Sequence, residues 1–91
     1  MTKVRIPPTL RDETGGQAAL EARGATVGEV LEDVAGRFPA LRDRIYSDGD
    51  LAGFVNVYAD GEDVRTRAGL ETEVTDNSTV ILLPAMAGGR A

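Results

Sequence analysis

Residues 79–83, a run of Thr-Val-Ile-Leu-Leu, constrain the fold more than any other segment of the chain. β-branched and aliphatic side chains without an intervening charge are typical of a strand. Because the apolar residues do not alternate with polar ones, the run predicts a strand that is buried on both faces and central in its sheet. Pro84 follows directly and is expected to end the strand, since proline has no N–H for the ladder.

Two shorter strands are predicted in the first part of the chain. In residues 3–6, Val and Ile alternate with Lys and Arg, which is the pattern of a half-buried strand. Thr-Gly-Gly at residues 14–16 indicates a turn, and a second short strand is expected over residues 18–22. Together these segments predict a hairpin with a long loop.

Another hairpin is predicted in the middle of the chain. Residues 54–59 concentrate aromatic and β-branched side chains and give the strongest strand pattern. Asp60-Gly61, a dipeptide typical of tight hairpin turns, comes next, and residues 62–65 are expected to form the short return strand. The three carboxylates of residues 60–63 fit a turn with a solvated face better than a metal site, so no metal site is expected.

The helix prediction is clearest after Thr26. A threonine followed three residues later by a glutamate, here Glu29, is the capping box that begins many helices. Apolar side chains then recur at helical spacing, at Val27, Val30, Leu31 and Val34. Pro39 disfavours helical geometry in the residue before it and is expected to end the helix there. A second helical turn or two is expected over residues 41–46, followed by a loop at residues 47–50.

The predicted order of elements is strand, strand, helix, strand, short strand, strand. Strands on both sides of one helix predict an α+β domain in which the helix covers one face of the sheet. The length of 91 residues fits a single domain. No internal repeat or linker divides the chain.

Composition excludes several classes of function. The chain contains no cysteine and no histidine, so the usual zinc sites and most nucleophilic triads cannot form. Its 15 acidic and 10 basic residues give a formal net charge of −5, which argues against binding to nucleic acid or to an anionic membrane surface. No apolar run has the length of a membrane span, and no apolar signal core precedes Pro7, so a cytoplasmic protein is expected.

Residues 85–91 have no place in this order of elements. They are mostly small, with Met86 as the one sizeable apolar side chain and a Gly88-Gly89 pair near the end. One interpretation is a frayed chain end, which is the common state of termini. The other is a functional tail, because a peptide without bulky side chains can thread into the active site of another protein. The composition of the segment alone favours the frayed end.

Three longer stretches of sequence decide between these interpretations. They are residues 4–16, which include Val-Arg-Ile-Pro and Gly-Gly, residues 54–65, which begin with Phe-Val-Asn-Val-Tyr, and residues 80–89, which end in Leu-Pro-Ala-Met-Ala-Gly-Gly. Together they resemble the ThiS/MoaD family of ubiquitin-like sulfur carriers, and most of all its CysO-type members, which deliver sulfur for cysteine synthesis. The resemblance implies a ubiquitin-like β-grasp fold, with a mixed sheet of four to five strands packed on one main helix. It further implies a β-grasp domain over residues 1–84 and a flexible C-terminal tail over residues 85–91.

The resemblance also implies a role for Gly89 and a set of partners. A ThiF/MoeB-like adenylating enzyme would use ATP and magnesium to convert the carboxylate of Gly89 into an acyl-adenylate. A sulfur donor would then replace AMP and leave a thiocarboxylate, which a sulfur-accepting synthase would use. Gly88, Ala87 and Met86 would thread into the active sites of these partners. The carrier itself would bind no cofactor and would act as a protein cosubstrate, not as an enzyme.

Arg90-Ala91 departs from the family pattern, because mature carriers end at the second glycine. With these two residues in place, the carbonyl of Gly89 is part of an amide and cannot be adenylated. We therefore expect cleavage between Gly89 and Arg90, and the resemblance implies a JAMM-type zinc metalloprotease for this step. The alternatives are that Arg90-Ala91 does not belong to the natural protein or that the chain is not a carrier.

Two questions stay open at the level of the sequence. Leu82, Leu10 and Met86 either form an apolar docking patch next to the tail or belong to the core. The sulfur acceptor is not identified either, and cysteine or another sulfur metabolite fits as the product. The same fold also serves the small subunit of molybdopterin synthase and ubiquitin-like protein modifiers, and these are the alternative functions.

Overall fold

The computed structural model describes residues 1–47, 50–51 and 55–84. Within these ranges the strands are β1 (Thr2–Arg5), β2 (Ala19–Ala22), β3 (Tyr46–Ser47), β4 (Asp50–Leu51), β5 (Val55–Ala59), β6 (Glu62–Asp63) and β7 (Thr79–Pro84). The α-helices are α1 (Val27–Arg37) and α2 (Pro39–Ile45), and 3-10 helices span Pro8–Thr14, Val64–Thr66 and Gly69–Glu71. Five of the described strands form one mixed sheet in the order β2-β1-β7-β5-β6, and β3 pairs with β4.

Strand β7 lies in the middle of the five-stranded sheet, as the apolar run predicts. It pairs in parallel with β1, where Val80 lies beside Val4. On its other side it pairs antiparallel with β5, where Leu82 lies beside Val57. Pro84 is the last residue of β7, in agreement with the expected end of the strand. The last described strand is therefore hydrogen-bonded on both sides.

The expectation that β7 is buried on both faces is wrong. Val80 and Leu82 are fully buried, but Ile81 is only half-buried and the side chain of Leu83 is 41% exposed. The reason is that α1 packs its apolar side chains into one core cluster with Val80 and Leu82, while no described element covers the opposite face. The second face of the sheet, which we call the open face, therefore carries an exposed Leu83 and a half-buried Ile81 on its central strand.

Helix α1 begins and ends where the sequence predicts. The hydroxyl of Thr26 accepts a hydrogen bond from the N–H of Glu29 at 3.2 Å. The Glu29 carboxylate reaches back and accepts from the N–H of Ala25 at 2.9 Å, one residue earlier than the usual capping box places it. The helix ends at Arg37, and Pro39 starts the short helix α2. Within the described part of the chain, neither helix has the length and apolar character needed to cross a membrane.

The first hairpin is confirmed, and its long loop is more ordered than the sequence indicates. β1 and β2 pair antiparallel, with Val4 beside Leu20. The loop contains the 3-10 helix Pro8–Thr14. The buried hydroxyl of Thr14 donates to the backbone carbonyl of Arg11 and lies 3.0 Å from the carbonyl of Gln17. A satisfied buried hydroxyl fixes the loop in a way that composition alone does not reveal.

The second hairpin is also confirmed, but its return strand is shorter than predicted. Asp60 and Gly61 both have positive φ angles, of 53° and 89°, as a tight turn between antiparallel strands requires. β6 contains only two residues, because the Asp63 carboxylate accepts from the N–H of Arg65 at 2.9 Å and starts a 3-10 turn. Phe54, which the sequence assigns to this strand, lies outside the described residues.

The loop predicted at residues 47–50 is only partly a loop. Ser47 pairs with Asp50 in the two-stranded β3–β4 ribbon. Residues 48–49 lie outside the described part of the chain. The stretch at residues 69–72, which shows no regular pattern in the sequence, contains a 3-10 helix.

We predict opposite effects for alanine at two glycines next to and within α1. A Cβ at Gly24, where φ is 157°, would lie 2.6 Å from the backbone nitrogen of Val30, so Gly24→Ala is expected to lower the free energy of unfolding by roughly 1–3 kcal/mol. Gly36 has open space around its Cβ position, so Gly36→Ala is expected to raise this free energy by roughly 0.5–1 kcal/mol, because alanine loses less backbone entropy in a helix. Urea denaturation followed by circular dichroism measures both, and equal midpoints for the two variants would contradict the packing of Gly24 against α1.

Candidate functional site at the end of strand β7

The predicted reactive residue, Gly89, lies outside the described residues, as do Met86, Ala87, Gly88 and Arg90. Their roles stay predictions. The described residue nearest to them in sequence is Pro84, and Gly89 follows it by five positions. The site is therefore built from the end of β7 and the residues around it.

The end of β7 is paired on one side only. On the β5 side the ladder continues to the last residue, with Leu83 beside Asn56 and Pro84 beside Val55. On the β1 side the last pair joins Ile81 to Arg5. β1 ends at this point because Pro7 and Pro8 follow, and proline has no N–H to donate to a ladder. The last three residues of β7 therefore have no partner on β1.

A groove of about 360 Å³ opens where β1 stops. Its lining combines apolar residues with two arginines: Arg5, Ile6, Pro7, Pro8, Arg11, Ile81, Leu82 and Leu83. Among the described strands of this sheet, Leu83 is the one large hydrophobic residue that is exposed. We call this feature the β7 groove. It lies at the same end of the sheet from which the tail departs, because Leu83 and Pro84 are the last residues of β7.

Two arginines at the β7 groove lack a carboxylate partner among the described residues. Arg11 is held in place by a hydrogen bond from its Nε to the carbonyl of Ile6 at 3.1 Å. Neither Arg11 nor Arg5 belongs to the ion pairs of the described residues, which join other cations to acidic groups. The groove therefore presents positive charge, although the chain as a whole carries −5.

Leu82 and Leu10 belong to the core. Leu82 is 0% exposed and Leu10 is 8% exposed, and both lie in the main hydrophobic cluster. Leu82 also lines the β7 groove, and a docking patch that includes Met86 stays a prediction. Ile81 and Leu83, the neighbours of Leu82 in β7, carry the accessible apolar surface, because alternate residues of a strand point to opposite faces.

The carboxylates of the second hairpin stabilise the fold. Asp60 accepts from the N–H of Thr79 at 2.9 Å and thereby joins the hairpin turn to the start of β7. Glu62 forms an ion pair with Arg67, and Asp63 caps a 3-10 turn. Asn56, in the middle of β5, accepts a hydrogen bond from Arg65 at 3.2 Å. In the described ranges, no group of three or more acidic side chains has the geometry to hold a metal ion.

Perturbed titratable groups cluster on α1, α2 and β3, and these elements do not line the β7 groove. Arg42 donates two hydrogen bonds of 3.2 Å to the carboxylate of Glu32, and this interaction lowers the pKa of Glu32 and raises the pKa of Arg42. Burial, with the Glu32 charge adding to it, raises the pKa of Tyr46 to about 12. The phenol therefore stays neutral near neutral pH, and the cluster joins the helices without supplying a reactive group.

Sequence reasoning missed the β7 groove. The available signal was the Pro7-Pro8 pair directly after a strand, because it shortens β1 relative to β7. The pairing register that turns this difference into a groove depends on which strands are neighbours, and β1 and β7 are separated by most of the chain. Arg5 became a site candidate only when the register placed it beside Ile81, and Arg11 lines the same groove.

Comparisons with known proteins agree with this geometry. The sequence profile of the ThiS family matches residues 4–89. The sulfur carrier protein CysO of Mycobacterium tuberculosis (strain ATCC 25618 / H37Rv) is 43% identical over 89 residues, which cover 94% of this chain and 96% of the relative. Small archaeal modifier protein 3 of Haloferax volcanii is 35% identical over 90 residues, covering 96% and 97%.

Solved structures give the same result for the fold. A chain in the crystal structure of the Amycolatopsis orientalis BexX/CysO complex superposes with a TM-score of 0.91 and 46% identity, covering 98% of this chain and 100% of that one. The predicted mixed sheet with one main helix is thus confirmed as the β-grasp arrangement. The chain belongs to the ThiS family, and its fold is the ubiquitin-like β-grasp.

Proposed function

We propose that this protein is a sulfur carrier whose working atom is the carbonyl carbon of Gly89. The observation that carries the proposal is the match to the ThiS family, which extends through residue 89 and so includes the Gly88-Gly89 pair. The identity to sulfur carrier protein CysO over 94% of the chain supports the same function. The frayed-end interpretation of residues 85–91 does not account for this match.

The position of β7 suits a segment that another protein must grip. Pro84 pairs with Val55 of β5, and β7 is hydrogen-bonded to β1 over Lys3 to Arg5. Residues 85–89 therefore follow a strand that is paired on both sides in the centre of the sheet, and not an edge strand that is paired on one side only. Small side chains at Ala87 and Gly88 make the tail narrow enough to enter a deep active site.

The carboxylate of Gly89 is a poor electrophile and must be activated before sulfur can be added. In the proposed first step, an oxygen of the Gly89 carboxylate attacks the α-phosphorus of ATP, an acyl-adenylate forms, and pyrophosphate leaves. A ThiF/MoeB-like adenylating enzyme supplies the ATP, the magnesium and the catalytic groups. The acyl-adenylate is a mixed anhydride whose carbonyl carbon can be attacked because AMP is a good leaving group. A free carboxylate has no such leaving group.

Sulfur enters in the second step. A sulfide-level donor attacks the carbonyl carbon of Gly89, a C–S bond forms, and the C–O bond to AMP breaks with its electron pair going to AMP. The product is a thiocarboxylate at the C-terminus, and no oxidation or reduction occurs if the donor is sulfide itself. A sulfur-accepting synthase then uses this soft nucleophile, for cysteine or another sulfur metabolite.

The chain acts as a protein cosubstrate in this scheme. Its 91 residues include no cysteine and no histidine, the side chains that most often act as nucleophile or general base. The partners therefore supply the catalytic groups. The carrier supplies a reactive end, a narrow tail and a surface by which it is recognised.

Removal of Arg90-Ala91 must precede activation in this scheme, because an amide at Gly89 has no carboxylate oxygen to attack ATP. The residues matched to the ThiS family end at Gly89, which supports a cut after that residue. A JAMM-type zinc metalloprotease is the proposed processing enzyme. Cleavage makes Gly89 the C-terminal residue and generates the carboxylate that is adenylated.

A role as a protein modifier is the second candidate, and the 35% identity to small archaeal modifier protein 3 favours it. A modifier would transfer the activated carbonyl of Gly89 to an amine of another protein. Lys3 is the one lysine of the 91 residues, so chains of linked copies would have to grow through Lys3 or the N-terminal amine. Isopeptide adducts that contain Gly89, detected by peptide mass spectrometry, would identify this activity.

We predict that protein ending at Gly89 is loaded with sulfur by the adenylating enzyme of the same host. In the presence of ATP, magnesium and sulfide, its intact mass is expected to rise by the difference between one sulfur and one oxygen. A matched protein ending at Gly88, and the 91-residue form without protease, are expected to stay unchanged. Absence of the gain, with an enzyme preparation that is active on another carrier, would contradict the proposed function.

We also predict processing in the host cell. Intact-mass analysis of the protein isolated from its host is expected to find a form that ends at Gly89. Substitution of Gly89 by proline in the 91-residue form should block the cut, because proline restricts the backbone that the protease must accept. Persistence of Arg90-Ala91 in all of the protein, with biological activity intact, would refute the processing step.

A further inference from the structure

We propose that Asp33 and Arg37 of α1 block the edge strand β2 from pairing with the same strand of a second copy of the chain. Both side chains bind backbone groups at the β2 edge, at Arg23 and Glu21. We call Asp33 and Arg37 the edge pair. This role goes beyond the proposed function and does not depend on it, because it concerns the association of the folded domain and not the chemistry of Gly89.

Strand β2 is the longer of the two edges of the five-stranded sheet. The sheet ends at β2 on one side and at β6 on the other. β6 contains two residues, and such a short edge strand offers little to a further strand. β2 contains four residues, Ala19–Ala22. Because the open backbone groups of an edge strand are a template for pairing with another chain, β2 is the edge that needs protection.

The hydrogen-bond pattern shows which backbone groups of β2 point away from β1. The N–H of Lys3 donates to the carbonyl of Ser78, on the side of β7, and Lys3 lies opposite Glu21 in the ladder. Opposite residues of an antiparallel pair alternate between hydrogen-bonded and non-hydrogen-bonded positions, so Lys3 and Glu21 form a non-hydrogen-bonded pair. The N–H and the carbonyl of Glu21 therefore point outward. By the same alternation, so do those of Ala19 and the N–H of Arg23.

The edge pair occupies two of these outward groups. The Asp33 carboxylate accepts from the N–H of Arg23 at 2.8 Å, and the Arg37 guanidinium donates to the carbonyl of Glu21. In a parallel ladder, one residue of an added strand donates to the carbonyl of residue i and accepts from the N–H of residue i+2. Arg37 and Asp33 supply this donor and this acceptor to residues 21 and 23. The two side chains thus take the place of one residue of an added strand.

As an ion pair, Asp33 and Arg37 contribute little to the stability of the domain. They lie one turn apart on α1, with 3.5 Å between the charged groups and with side chains that are 34% and 44% exposed. An exposed pair at this spacing contributes about 0.3–0.5 kcal/mol. Its effect on the edge is of a different kind, because an incoming strand must displace both hydrogen bonds before it can pair with residues 21–23.

A second copy is the strand that the edge pair keeps away. Every copy carries the same edge, and a two-fold axis beside β2 would place the two β2 strands antiparallel to each other. Their sheets would then join into one. The same outward groups face the interface on both copies, so the edge pairs of both copies must be displaced for the joined sheet to form. With the edge pair in place, the chain is expected to be monomeric.

The test compares two double variants of the 91-residue protein, each of which loses one ion pair of α1 and keeps the net charge. Asp33→Ala with Arg37→Ala removes the edge pair. Glu32→Ala with Arg42→Ala is the matched control, because the hydrogen bonds of this pair join α1 to α2 and do not involve β2. In sedimentation velocity over a wide range of concentrations, the wild type and the control are expected to stay monomeric. The variant without the edge pair is expected to dimerise with a Kd lower than that of the wild type by about tenfold or more.

Proline at residue 19 locates the interface. Ala19 is exposed and its N–H points outward, so Ala19→Pro removes a group that the dimer needs without removing a hydrogen bond to β1. Added to the variant without the edge pair, it is expected to restore the monomer. Hydrogen exchange of the variant without the edge pair should show protection of the Glu21 N–H that increases with protein concentration, because this N–H is hydrogen-bonded only in the dimer.

A conservative substitution separates the hydrogen bond from the charge. Asp33→Asn keeps an oxygen that can accept from the N–H of Arg23 and removes the negative charge. It is expected to stay monomeric at concentrations at which Asp33→Ala dimerises. Equal association of the two variants would assign the effect to charge and would overturn the proposed role of the hydrogen bond. Circular dichroism and urea midpoints check that all variants are folded.

Three further outcomes would overturn the proposal. They are a variant without the edge pair that stays as monomeric as the wild type, a control variant that associates to the same extent, and a dimer that persists after Ala19→Pro. If the double variant without the edge pair does not fold, the comparison of Asp33→Ala with Asp33→Asn and with Glu32→Ala decides instead. None of these measurements involves an adenylating enzyme or Gly89, so their result and the result of the sulfur-loading experiment are independent.

Discussion

The pairing of β7 on both of its sides is the interaction on which the rest of the structure depends. β7 pairs with β1 of the N-terminal hairpin and with β5 of the central hairpin. Without β7 the two hairpins would not belong to one sheet. Parallel pairing with β1 closes a contact between the two ends of the described chain, which is costly in entropy and is repaid only when the core forms. The segment that leads to Gly89 thus starts at the most strongly connected strand of the domain.

One-sided cover follows from the size of the chain. A single long helix with a short companion covers only one face of the five-stranded sheet, and no other described element covers the open face. On β7 this produces alternation of a buried Val80 and Leu82 with an accessible Ile81 and Leu83. An aliphatic run that would be a core strand in a larger domain therefore supplies both core and accessible surface here.

Much of the fold could be predicted from local sequence, because the decisive signals act over a few residues. Thr26 and Pro39 fixed the ends of the two helices, and Asp60-Gly61 fixed the tight turn. The failures involve information that a local pattern does not contain. The apolar run at residues 79–83 does not say how many helices are available to cover it, and residues 62–65 do not show that Asp63 caps a turn instead of extending the strand. The β7 groove needed the register between β1 and β7, which are distant in sequence.

A chain that carries an activated carbonyl benefits from having few groups that can attack it. Acyl-adenylates react with thiols and amines, and these 91 residues contain no cysteine and one lysine. Lys3 lies beside Thr79, at the opposite end of β7 from Pro84; five residues of strand separate the two by about 16 Å, at roughly 3.3 Å per residue. The tail would have to fold back along the full length of β7 to bring Gly89 near the Lys3 amine, and a tail held in an active site cannot do so. Under the proposed function, the chain itself therefore offers few competing nucleophiles, and the partner that receives Gly89 would determine whether sulfur transfer or protein modification follows.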